Sequence, residues 1–178
     1  MADPIPDACL VRRCLDGDDE AFATLIERYQ RTAVNLAYQI TGDAQDAEDL
    51  AQEGFVAAYR TLARLRRAEH FRAYLMRIVV NRALRWHQRS LNTEDSEPAT
   101  CGPDPYSTLS VSLLHSAIAR LPGRLRATLV LFELQGLSYE EVGEVLGVPV
   151  NTVRSRLHAA RLQLRRTLGA RLGGGEGG

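Results

Sequence analysis

Residues 136–168 read GLSYEEVGEVLGVPVNTVRSRLHAARLQLRRTL, and the punctuation inside that stretch marks two helices joined by a tight turn. Ser138 followed three residues later by Glu141 is a capping box: the hydroxyl satisfies a free amide of the first turn, and the carboxylate reaches back to the cap residue's own amide. Val142, Val145 and Leu146 give the first helix an apolar stripe. Gly147 then supplies a left-handed stop, and Pro149 prevents continuation. Asn151 is placed to cap the second helix. On it Val153, Leu157, Ala160 and Leu164 recur at inward-facing spacings, while Arg154, His158, Arg161 and Arg165 recur at the same spacings facing out. A short helix, a turn holding Gly and a second helix with a cationic stripe form a helix-turn-helix, whose second helix can enter the major groove. An ordinary αα-hairpin with a solvated basic face is the alternative, and the cap, the turn and the charge together favour DNA binding.

The surrounding chain is 178 residues long and 45% hydrophobic, enough for one or two domains with real cores. No apolar run approaches the roughly 20 residues that span a bilayer, and the acidic start lacks the basic and apolar segments of a signal peptide, so a cytoplasmic protein without membrane insertion is expected. Cys9, Cys14 and Cys101 contain no CxxC pair, and His70, His87, His115 and His158 are scattered. Neither a disulfide framework nor a zinc site is implied. No Ser/His/Asp, Cys/His or metal-spaced cluster occurs, which counts against an enzyme and calls for no cofactor.

The net charge of zero conceals strong segregation. Residues 1–59 carry a net charge of −8, residues 60–89 carry +8, residues 90–108 carry −4 and residues 109–178 carry +4. Two basic surfaces separated by acidic ones fit a protein that touches nucleic acid in two places and a protein partner elsewhere. All 22 basic residues are Arg. Guanidinium forks suit guanine and phosphate, but a GC-rich genome produces the same bias and is the favoured explanation.

Taken in order, the chain begins loosely, and Asp18 to Ile40 then forms one long helix with Phe22, Leu25, Ile26, Tyr29, Ala33, Leu36, Ala37 and Ile40 on a single face. After Thr41-Gly42, Asp43 opens a second helix. Its inner stripe is Ala47, Leu50, Ala51, Phe55, Ala58 and Leu62, while Asp46, Asp49 and Glu53 line its outside as a solvated face or a dock for a basic partner. Arg60 to His70 is a basic connector. A third helix from Phe71 to about Arg89 interleaves Arg72, Arg77, Arg82, Arg85 and Arg89 with Phe71, Tyr74 and Trp86. Bases stack on aromatics and phosphates pair with Arg, so the mixture suits single-stranded or opened DNA. Phe71, Leu75, Ile78 and Val79 read as core, and Trp86 is divided between packing and base contact. Residues 90–108, with Pro98, Pro103 and Pro105 and no apolar period, form an acidic flexible linker. Extended, its 19 residues reach at most about 60 Å, enough for two domains to dock independently. Helices Leu109 to Arg120 and Leu125 to Leu134 then support the opening motif, and the Gly-rich tail 173–178 is expected to be disordered. The fold class is all-α: two small helical domains, 1–89 and 109–172, joined by the linker, with the helix-turn-helix in the second.

With these residues in place, the chain resembles an extracytoplasmic-function sigma factor, the small two-domain branch of the bacterial sigma-70 family. The resemblance runs from about Asp19 to Leu168. It rests on DEAFATLIERYQ, DAEDLAQEGFVAAYR, FRAYLMRIVVN and ARLPGRLRATLVLFELQGLSYEEVGEVLGVPVNTVRSRLHAAR, in that order. It implies sigma region 2 over 1–89 and sigma region 4 over 109–172, with core RNA polymerase, promoter DNA and an anti-sigma factor as partners. Asp46, Asp49, Gln52 and Glu53 would dock on the β′ clamp helices, with a further contact to the β subunit. Thr61, Leu65 and Asn81 would surround a base flipped from the non-template strand of the −10 element, and Tyr74, Arg77, Arg82 and Arg85 would complete that surface. In the helix-turn-helix, Thr152, Arg154, Ser155 and His158 would face the −35 element, with Arg156 and Arg161 nearer its phosphates. The acidic linker would thread toward the polymerase interior and mimic nucleic acid. Leu65 stands where the family often has an aromatic, Arg66-Arg67-Ala68 lacks its usual Gly, Tyr74 replaces a common Trp, Arg85 a common acid and Ala159 a common basic residue. These departures bear on promoter preference. A stand-alone helix-turn-helix regulator is the alternative, motivated by the C-terminal half alone.

Overall fold

In the computed structural model, residues 5–91 and 109–172 are described, and every regular element among them is helical. Apart from Ser90 and Leu91, which extend a helix, the expected linker 90–108 and the tail 173–178 lie outside the described residues.

The first domain is built on α2 (Asp19–Thr41), α3 (Ala44–Thr61) and α4 (Phe71–Leu91). Asp18 and Asp43 cap the first two, each carboxylate accepting the amide of the third residue beyond it, and Gly42 ends α2 at φ 80°, in the left-handed region. The inner stripes read from the sequence meet in one core: Leu25, Leu36 and Ile40 of α2, Ala47 and Ala58 of α3, and Phe71 and Val79 of α4 are all closed to solvent. Each such large side chain contributes roughly 1.5–3 kcal/mol.

One helix was not expected. Where the sequence suggests a loose start, α1 (Asp7–Leu15) packs across α2 and buries Leu10, Val11 and Cys14. Its anchor is long-range: the Asp7 carboxylate accepts from Arg28 and from the Tyr29 hydroxyl. Burial, and then that bond to Asp7, hold the phenol proton, pushing the Tyr29 pKa up to about 12.

The second domain contains α5 (Leu109–Ala119), α6 (Gly123–Leu129), α7 (Tyr139–Leu146) and α8 (Val150–Leu172). The helix expected over Leu125 to Leu134 starts two residues earlier and changes character: Val130–Leu134 is a turn of π-helix, in which Gln135 N–H reaches back to the Val130 carbonyl. The two domains share one hydrophobic core. Arg126, only 3% exposed, crosses between them, donating to the Ile40 carbonyl at the end of α2 and to the Ala119 and Leu121 carbonyls of its own domain. Its Nε lacks a partner, and desolvation lowers its pKa to about 10.

Candidate nucleic-acid interface

Past Thr61 the chain makes two short 3-10 turns, Leu62–Arg64 and Ala68–His70, before α4 begins. They curl Arg64, Arg66 and Arg67 around a groove of about 530 Å³ whose other wall is Ala73, Tyr74 and Arg77 of α4. That volume lies within the range of sites that enclose a small molecule. Leu65 sits half-buried at the rim. Thr61 donates its hydroxyl proton to the Ala57 carbonyl at 2.6 Å, so in its bond with Tyr74 the phenol must be the donor. Thr61, Leu65, Tyr74 and Arg77 are therefore assembled at one site. Asn81 and Arg85, exposed, continue the stripe one and two turns beyond Arg77.

Arg82 stands apart from this group. It turns toward α3 and pairs with Glu53. Trp86 is half-buried, and its indole is hydrogen-bonded to Asp46, which places it with packing at the start of α3. Asp46 is accordingly half-buried, and burial followed by repulsion from Asp43 raises its pKa. Asp49, Gln52 and Glu53 remain exposed and line one shallow depression with Val56, Arg60 and Arg82.

Beside that acidic stripe lies a feature that the sequence reading missed, a groove of about 900 Å³ between α2 and α3. Phe22, Ile26, Phe55, Val56 and Tyr59 line it, with Asp19 and Glu48 among its polar residues. Val56 is 46% and Tyr59 44% exposed, although the Tyr59 ring packs edge-on to Phe22 with centroids 4.8 Å apart and its hydroxyl donates to Asp19. The available signal was that Val56 and Tyr59, three apart, fall outside the inner stripe of α3. Two large apolar residues there belong to a surface with something to cover it.

In the helix-turn-helix both halves of the capping box form: Ser138 Oγ accepts the Glu141 amide at 3.2 Å, and Glu141 accepts the Ser138 amide at 2.8 Å. Hydrogen bonds from the Ser138 amide and the Ser138 hydroxyl hold the Glu141 carboxyl below its ordinary range. Gly147 closes α7 at φ 65°. The expectation for Asn151 is corrected here. α8 starts at Val150, so Asn151 lies inside its first turn, and the Pro149 carbonyl accepts the Thr152 and Val153 amides. Proline's fixed φ suits a helix start.

Along α8, Arg154, Ser155, His158 and Arg161 are exposed, whereas Thr152 and Arg156 are half-buried. Arg154 lies over the Tyr139 ring, 5.5 Å from its centroid, Tyr139 stacks on Phe132 at 4.7 Å, and Arg161 lies 5.8 Å from the Phe132 centroid. This ladder holds Arg154 at the exposed start of the helix. Ser155 donates to the Thr152 carbonyl at 3.0 Å, and Arg161 is paired with Glu133 at 2.7 Å. Arg156 has its pKa lowered by burial and by Arg124, which leaves two cations side by side. Among the described residues no group of acids, His and Cys has metal-binding spacing, and no helix is long and apolar enough to cross a membrane.

Residues 25–92 match the profile of Sigma-70 region 2, and residues 112–164 that of Sigma-70, region 4. The chain is 36% identical to the RNA polymerase sigma-H factor of Pseudomonas aeruginosa, covering 91% of this chain and 93% of that one. It is 32% identical to the ECF RNA polymerase sigma-E factor of Haemophilus influenzae, covering 90% and 94%. Among solved structures, CnrH in complex with the cytosolic domain of CnrY aligns over 93% of this chain and 98% of that chain, with TM-score 0.75 and 27% identity. The sigma factor RpoE in complex with the anti-sigma factor NepR from Bartonella quintana shares the fold over 83% and 96%, with TM-score 0.69 and 22% identity.

Proposed function

The chain belongs to the sigma-70 family as an extracytoplasmic-function sigma factor, and on that premise we infer how its surfaces divide the work of starting transcription. It binds core RNA polymerase and directs it to specific promoters through −10 and −35 contacts. The observation that carries the division is the opposition within one domain: a basic groove beside Tyr74 on one side, and exposed Asp49, Gln52 and Glu53 with an apolar groove on another.

The basic groove takes the opened −10 strand. Extruding a base costs a few kcal/mol, which stacking on Tyr74, apolar contact with Leu65 and hydrogen bonds from Thr61 and Asn81 offset, with Arg77 and Arg85 on the phosphates. Arg82, paired with Glu53, joins the strand surface to the polymerase-facing one. Asp49, Gln52 and Glu53 meet the β′ clamp helices, and the neighbouring apolar groove supplies the burial that charges alone do not. Asp46 acts from a half-buried position, bonded to Trp86. In the second domain, Arg154, Ser155 and His158 read base edges of the −35 element, while Thr152, Arg156 and Arg161 serve its backbone, Arg161 exchanging Glu133 for phosphate. Region 2 corresponds to 1–89, the linker to 90–108 and region 4 to 109–172, the second domain also contacting the β subunit. An anti-sigma factor is the further partner. The protein works in the cytoplasm without cofactor or chemistry of its own.

The division is tested by Asp49→Arg. Titration of labelled protein against core polymerase should show at least tenfold weaker binding with unchanged helicity. Unaltered affinity would remove the α3 face from the docking surface.

A further inference from the structure

α1 belongs to neither the DNA-facing nor the polymerase-facing surface, yet it touches the structure that shapes the first. It crosses α2 and lies against both 3-10 turns, Leu62–Arg64 and Ala68–His70, and against α4. The segment formed by those turns carries Arg64, Arg66 and Arg67 into the basic groove. It has little of its own to hold that shape. Between Leu62 and Phe71 no side chain is fully buried, and the bonds that close the turns are local, from Leu65 N–H to the Leu62 carbonyl at 2.9 Å and from His70 N–H to the Arg67 carbonyl at 3.0 Å. A 3-10 turn has poorer hydrogen-bond geometry than an α-helix, so its shape depends on what packs against it.

The support on one side is α1, and its start is fixed by a polar cluster. Asp7, its side chain 15% accessible, accepts from Arg28 and from the Tyr29 hydroxyl, and Arg28 also donates to the Ile5 carbonyl at 2.7 Å. The support on the other side is Phe71, fully buried, which begins α4 directly after the Ala68–His70 turn. The Tyr29 ring packs on Phe71 with centroids 5.8 Å apart. One bond, from Tyr29 to Asp7, therefore ties the two supports together.

We propose that α1 is a buttress of the −10 groove and that Asp7 and Tyr29 are positioning residues for strand binding, acting through α1 and Phe71 on the turn that sets where Arg66 and Arg67 stand. This rests on the assignment of that groove to the −10 strand. Neither positioning residue touches the strand. On a loose connector the guanidinium groups of Arg64, Arg66 and Arg67 repel one another and spread, and a binding strand must gather them at an entropic cost. With the latch closed, the groove is formed before the strand arrives. A latch that served stability alone would leave strand affinity unchanged in any variant that is still folded.

The test uses the full chain on core polymerase and a fluorescein-labelled single strand from the non-template side of a promoter mapped for the holoenzyme, read by anisotropy. Asp7→Asn, which keeps the shape of the acceptor but not its charge, should bind the strand at least fivefold more weakly than wild type. Tyr29→Phe, which keeps the ring on Phe71 and loses only the hydroxyl, should lose two- to fivefold. Both variants should bind core polymerase within twofold of wild type. In the free chain, the Leu65 and His70 amides should exchange with solvent faster in both variants than in wild type. Asp43→Ala removes the cap of α3, destabilising the same domain away from the latch, and should leave strand affinity within twofold. An equal loss from Asp43→Ala would reduce the effect to domain stability and overturn the buttress, as would Asp7→Asn binding the strand as tightly as wild type. If the wild-type holoenzyme itself does not bind the strand, the −10 assignment falls, and the buttress with it.

Discussion

Replacing Arg126 by Met tests the largest single commitment in the structure. Arg126 is 3% exposed, and its hydrogen bonds go to three carbonyls: Ile40, Ala119 and Leu121. Charge-assisted bonds contribute ~1.5–3 kcal/mol each, about 5–9 kcal/mol for three. Desolvation takes part of this back. The depressed pKa of about 10 against an ordinary 12.5 puts that cost at ~3 kcal/mol, given ~1.36 kcal/mol per tenfold change. The bonds therefore win, by roughly 2–6 kcal/mol. Met fills a similar length but leaves the carbonyls at the ends of α2 and α5 without a donor, against a total stability of order 5–15 kcal/mol. Urea unfolding is followed by helicity and by fluorescence of Trp86, the single tryptophan, which reports on the first domain. Wild type should give one transition. Arg126→Met should lower the midpoint by about 1–3 M at a slope of ~2 kcal/mol per M, and its two signals should part as the domains lose their shared tie. Arg126→Lys, whose ammonium cannot fork to two acceptors at once, should fall between. A midpoint for Met within 0.3 M of wild type, or coincident transitions at a lower midpoint, would refute the reasoning.

Ser138→Ala should cost about 1 kcal/mol by thermal or urea unfolding of the second domain, since it removes the acceptor for the Glu141 amide, and no loss would mean that solvent caps α7 equally well. Arg154→Ala should cost roughly 1–3 kcal/mol and relax preference at one −35 position, whereas Arg161→Ala should weaken all sequences alike; equal effects across promoter variants would erase the division of roles. The alkaline limit should depend on Tyr29. Its folded pKa, about 12, exceeds the ordinary 10, so its contribution is intact below pH 10 and is lost as pH rises to 12. Arg126 acts with the opposite sign, because a lowered base binds fewer protons when folded and gains stability above pH 10. Comparing wild type with Tyr29→Phe cancels Arg126: the variant should be less stable below pH 10 and lose less between pH 10 and 12. Parallel stability curves would show that Tyr29 ionises normally.

The parts legible in sequence were those fixed by local chemistry. The capping box of Ser138 and Glu141, the stop at Gly147 and the three apolar stripes of α2, α3 and α4 stand within a residue or two of where their periodicity places them. Four features needed the folded chain. α1 begins after Pro6 without a capping side chain, and its anchor is a partner over twenty residues away, so no local pattern announces it. Asn151 is a good cap by type, but Pro149 sets the turn first. The π turn at Val130–Leu134 shifts one hydrogen bond, which hydrophobic spacing does not register. The groove site was half legible. Leu65, Tyr74 and Arg77 were named from the family resemblance, but Glu144, which also lines the groove, comes from 67 residues beyond Arg77 and reaches it only because the two domains pack together.

The most direct test of the account is transcription from genomic DNA with core polymerase plus the purified chain, followed by mapping of RNA 5′ ends. The account predicts a small set of starts that are absent with core alone and that share one −10 and one −35 sequence at constant spacing. Starts no different from those of core alone, while the protein still binds duplex DNA on its own, would contradict it in favour of a stand-alone helix-turn-helix regulator.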